Sequence, residues 1–67
     1  MEHQIIWAKP SSDHHDGKGF IVLCELLNND VTPYVTWQTQ SLDLNALRFK
    51  GNYHRNFSAA KEEFHNR

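Results

Sequence analysis

Cysteine occurs only once in these 67 residues, at Cys24, so the chain can form no internal disulfide framework and no CxxC pair for zinc. A lone thiol suits a reducing compartment, which predicts a cytoplasmic protein. No stretch approaches the roughly 20 apolar residues of a membrane span, and no charged segment followed by an apolar run opens the chain. A soluble, unprocessed protein with no membrane partner is therefore expected. Repeats, low-complexity tracts and linkers are also missing, and 67 residues make one domain at most.

Catalytic signatures are equally scarce. Ser11, Ser12, Ser41 and Ser58 lie in no nucleophile elbow, and Cys24 sits inside the apolar run Phe20–Leu27 rather than in an exposed electropositive setting. The "GKG" at 17–19 lacks the phosphate-loop spacing, and no HExxH occurs. No catalytic residue and no cofactor are assigned, and an enzyme is not expected. A chain this short buries only about 60% of the surface its unfolded form exposes. Its function should lie on a surface, and partner binding or self-association would add stability that a small core lacks.

What is present is aromatic and apolar. "EHQIIWA" (2–8) is short and rich in β-branched and aromatic residues, hence a first strand with neither face cleanly polar. Residues 9–19 collect Pro10, Ser11, Ser12, Asp13, Asp16, Gly17 and Gly19, the composition of a long loop. "FIVLCELL" (20–27) is apolar on both faces, as a central strand would be. "NND" (28–30) reads as a turn, and "YVTWQT" (34–39) as a third strand. Residues 40–46, "QSLDLNA", are ambiguous between a loop and one helical turn. "LRFKGNYH" (47–54) alternates, with Leu47, Phe49 and Tyr53 predicted to face the core, Arg48, Lys50, Asn52 and His54 to face outward, and Gly51 to mark a bulge. Ser58 is the expected N-cap of a helix over about 58–66, with Phe57, Ala60 and Phe64 on one face. The fold class is α+β: a three- to four-stranded, mainly antiparallel sheet with one C-terminal helix packed on one face.

Three groups of residues carry the functional expectations. The loop motif Asp13-His14-His15-Asp16 supplies metal-ligating types, but adjacent residues on an extended chain point apart and the spacing does not favour chelation. Arg48, Lys50, His54 and Arg55 form a basic group near aromatics, the ingredients of single-stranded nucleic-acid binding. Residues 47–67 are net basic and residues 1–46 net acidic, although the whole chain carries only −1. Finally, eight aromatic rings together with the second face of "FIVLCELL" exceed what one helix can cover. Trp7, Ile21, Leu23 and Tyr34, with Leu27, are thus expected to leave an apolar patch for a protein partner or a homodimer.

"YVTW" at 34–37, "GNY" at 51–53 and "FSAAKEEFHNR" at 57–67 resemble the C-terminal half of a group of small bacterial proteins, many of them carried by phage, plasmids or other mobile elements. The resemblance covers about half the chain, excludes the Asp13–Asp16 motif, and implies a strand–strand–helix core; no catalytic residues are carried over from it. The leading expectation is a non-enzymatic interaction module. The alternatives are a single-stranded nucleic-acid binder and a metal-binding protein.

Overall fold

In the computed structural model, which describes residues 2–11 and 19–67, four strands lie in chain order in one antiparallel sheet. They are β1 (His3–Pro10), β2 (Phe20–Leu26), β3 (Tyr34–Thr39) and β4 (Arg48–His54), and helix α1 (Phe57–Asn66) follows. The α+β expectation is met. The first strand runs two residues further than predicted, through Lys9 and Pro10, because Pro10 sits on the outer edge, where a missing N–H costs no ladder bond. The Asp13–Asp16 motif lies outside the described residues.

Both faces of β2 are buried, which explains its unbroken apolar run. On one face Ile21 and Leu23 pack against Ala60 and Phe64 of α1, with Ile6, Tyr34 and Phe57 around them. On the other face Val22, Cys24 and Leu26 join Val35 and Trp37, with Ile5 and Phe20 at the margin. Each aliphatic side chain so buried contributes about 1.5–3 kcal/mol. The expectation that Ile21 and Leu23 stay uncovered is not met, since both are essentially inaccessible beneath the helix.

Two β-bulges decide which side chains share a face. In β1, Ile5 pairs with Cys24 and Trp7 with Leu23, so Ile6 is an extra residue. The slip sends Ile5 to the helix-free face and both Ile6 and Trp7 to the helix side. In β4, Asn52 pairs with Thr36 and Phe49 with Gln38, leaving an extra residue around Lys50 and Gly51. Lys50 adopts φ 53° there. The bulge anticipated at Gly51 is present, but it breaks the alternation expected of this strand. Tyr53, opposite Val35, faces the helix-free side, while Phe49, opposite Gln38, faces the helix side. Arg48 is opposite Thr39 and so joins Tyr53 rather than His54.

Gly51 is required because the Trp37 indole lies against it. A Cβ there would fall within 2.6 Å of Trp37 Cδ1. Gly51→Ala should therefore cost about 1–3 kcal/mol through overpacking, read as a lower urea midpoint. Lys50→Gly, which relieves a left-handed non-glycine residue, should not lower that midpoint.

The helix begins one residue earlier than predicted, and its cap is Asn56 rather than Ser58. The Asn56 side chain accepts from the Ala59 N–H at 2.8 Å, with Asn56 itself in extended backbone. The predicted spacing of Phe57, Ala60 and Phe64 does form the buried stripe. Among the described residues no helix is long and apolar enough to cross a membrane.

Candidate functional site

The helix side is closed by mutual packing. Trp7 stacks near Phe57 at 5.4 Å and Phe64 at 6.1 Å, with the Lys61 ammonium 5.9 Å from its ring. Tyr34 meets Phe57 edge-on at 5.6 Å. Trp7 and Tyr34 thus seal the helix rather than form a free patch, although Trp7 keeps 39% of its surface.

A polar anchor fastens the far end of the helix. Glu63 accepts from the buried Thr36 hydroxyl and from His54 Nε2 at 3.3 Å. Arg67 donates to the Thr36 carbonyl at 3.1 Å, to its hydroxyl at 3.0 Å and to the Lys50 carbonyl at 2.9 Å. The hydroxyl gives its proton to the carboxylate and not to the imidazole, and Thr36 is fully buried. The arrangement therefore ties α1 to β3 and to the β4 bulge without presenting a nucleophile.

Burial pushes the Glu63 carboxyl up, but hydrogen bonds from Thr36, His54 and Asn52 and the His54 charge outweigh it, leaving the group below its usual range. A depressed folded pKa favours the ionised form in the native state. Its stabilisation is present at neutral pH and is lost as pH falls through the carboxylate range. Wild type should accordingly lose urea resistance as pH falls from about 5 through and below the ordinary carboxylate range, and Glu63→Gln should show a smaller loss across that window.

The helix-free face has different chemistry. Arg48, half-buried, donates through one terminal nitrogen to the Thr39 hydroxyl at 2.8 Å and the Ser41 carbonyl at 3.1 Å. The other reaches the Asp43 carbonyl at 2.9 Å and His3 Nε2 at 3.3 Å. One guanidinium thus bridges β4, the end of β3, β1 and the segment 40–47, which it holds against the sheet. His3 packs edge-on to Trp37 at 5.3 Å, and Tyr53 does the same at 6.1 Å. Together with Leu44, Asn45 and Ala46 these residues line an open groove. Beneath it Cys24 is fully buried, and burial pushes its thiol up to about 11 although the Arg48 charge pulls the other way.

Exposed apolar side chains occur on the segment 40–47 and beside the groove, as Trp7 and Phe49 do on the helix side. Leu42, Leu44 and Leu47 of the connecting segment are 43%, 56% and 75% exposed, and Tyr53 is 47% exposed. Leu27, at 52%, lines an adjoining hollow with Leu44 and His3. The exposure of Leu27 matches expectation. Leu47, predicted to face the core, is instead exposed because it lies outside the β4 ladder. Sequence reasoning missed Leu42, Leu44 and the place of His3 in the groove. The three leucines at i, i+2 and i+5 of "LDLNAL" fit neither a strand nor a helix period, and that misfit was the available signal.

The expected basic group assembles only in part: Arg48 and Lys50 line one open hollow with Gln38, Gln40 and the exposed Phe49 ring. Arg48 lies on the helix-free face and His54 on the helix side, bound to Glu63. Lys50 sits exposed at the bulge, and Arg55 is exposed in the turn before α1. Among the described residues no group of three His, Cys, Asp or Glu side chains is placed to hold a metal ion. No family model, curated protein or solved structure matches this chain.

Proposed function

We propose that this chain is a non-enzymatic protein-interaction module that docks a partner protein on its helix-free face. The observation that carries this reading is the concentration of exposed Leu42, Leu44, Leu47 and Tyr53 on and beside a segment that Arg48 holds in place. Exposed leucines grouped on an ordered segment are costly in water, and grouped apolar surface marks contact sites. A contact through strand edges is disfavoured. β1 carries a bulge and ends in proline, β4 carries a bulge with a lysine at positive φ, and such features block strand addition. Nucleic-acid binding has less support, because only Arg48 and Lys50 of the basic residues come together, beside the Phe49 ring, while His54 is bound to Glu63.

The test is a comparison of two single-face variants in a capture experiment. Leu44→Asp should abolish recovery of a protein partner that wild type and the opposite-face variant Lys61→Glu both retain. Equal recovery by all three proteins, or recovery of nucleic acid alone, overturns the reading.

A further inference from the structure

Among the described residues Arg48 has no carboxylate within ion-pair distance. Its partners are a hydroxyl, two backbone carbonyls and an imidazole nitrogen. Asp43 contributes only its carbonyl, and its carboxylate accepts instead from the Asn45 N–H at 2.9 Å. The Glu63 carboxylate, which pairs with His54 and Arg67, is on the other face of the sheet. The Arg48 Nε–H is buried and has no hydrogen-bond partner there. A charge partly withdrawn from water and lacking an acidic partner gains from one that completes it.

The groove beside Arg48 has the complementary composition. Its walls include His3, Trp37, Leu44, Asn45 and Tyr53, and among the described residues no carboxylate lines it; Glu2 lies in the adjoining hollow that shares His3, Leu44 and Asn45. Apolar walls also strengthen the field of a nearby charge. We propose that this groove accepts an acidic side chain flanked by apolar residues on the partner protein, an inference that rests on the docking reading above. The carboxylate sits at the Arg48 and Tyr53 end, and the apolar neighbour covers Leu44. The four contacts of Arg48 already occupy both terminal nitrogens, so it offers an acidic group its charge rather than a free bidentate fork. The charge itself remains available, and the Tyr53 hydroxyl and the Asn45 amide can supply donors.

The two tryptophans provide a built-in control, since Trp7 lies on the helix side and Trp37 on the groove side. The experiment titrates ¹⁵N-labelled protein with the peptide N-acetyl-Leu-Glu-Leu-amide and follows the two indole N–H signals. The Trp37 signal should shift and the Trp7 signal should not. The Leu-Gln-Leu peptide should bind about tenfold more weakly, and high salt should weaken only the Glu peptide. Equal binding of the Gln peptide overturns the acidic specificity while leaving the docking reading intact. No shift with either peptide, or a shift of Trp7 alone, overturns the groove as the site. Tighter binding of inorganic phosphate or of a single-stranded oligonucleotide at Trp37 overturns the choice of a carboxylate. The docking reading itself stands or falls separately, on Leu44→Asp.

Discussion

Phe64→Ala is expected to abolish most of the cooperative unfolding transition at room temperature. Phe64 closes the cluster of Ile21, Leu23 and Ala60 under α1, lies 6.1 Å from the Trp7 ring, and has the Lys9 ammonium 5.0 Å from its own ring. Truncating a buried phenylalanine costs about 3–5 kcal/mol. A domain of this size rarely holds more than about 5 kcal/mol in reserve. A ten-residue helix has no stability of its own to fall back on. Circular dichroism during urea titration should show a shallow transition or none, whereas Phe64→Leu should keep a cooperative one at a lower midpoint. A Phe64→Ala protein with an unchanged midpoint would mean that α1 does not seal this face.

Arg48→Met should produce the second large effect, and on the opposite side of the sheet. Methionine preserves much of the side-chain bulk, but Thr39, Ser41 and Asp43 all lose their charged donor. Hydrogen bonds to charged groups are worth about 1.5–3 kcal/mol each, and partial recovery of water by the freed acceptors brings the expected net loss to about 2–3 kcal/mol. Arg48→Lys should recover little, because a single ammonium cannot replace a planar fork that reaches three elements at once. Cys24 reports the local opening. In wild type it is buried and its thiol is pushed up to about 11, so iodoacetamide at neutral pH should leave it unmodified. In Arg48→Met it should be alkylated under conditions in which α1 remains folded. Full protection of Cys24 together with an unchanged urea midpoint would show that the guanidinium does not hold the segment 40–47.

The legible parts of the sequence are those with a clean period. The apolar spacing of Phe57, Ala60 and Phe64 marks the buried stripe of α1, and "FIVLCELL" marks a strand covered on both faces. The cap falls two residues from its expected place because Asn56 and Ser58 have equivalent capping chemistry, and only backbone geometry separates them. The candidate site is mostly illegible. A single alternating β4 would put Phe49 with Tyr53 and Arg48 with His54, and the bulge at Lys50–Gly51 reverses both pairings. A shift of one residue moves every following side chain to the other face, so a local irregularity divides the expected basic surface, parting His54 from Arg48.

By itself, the sequence determined the α+β class, the strand and helix inventory, and the burial of β2 on both sides, because these follow from local periodicity and from the need to cover apolar side chains. The tertiary structure alone decided what does the covering. One face of the sheet takes the helix; the other has the segment 40–47 held against it by Arg48. That choice depends on contacts such as Arg48 with His3, 45 positions apart in the chain. The same contacts turned three leucines of an unclassifiable segment into the exposed surface on which the functional proposal rests. No periodicity encodes them, since they arise only when two bulges and a chain turn bring distant residues onto one face.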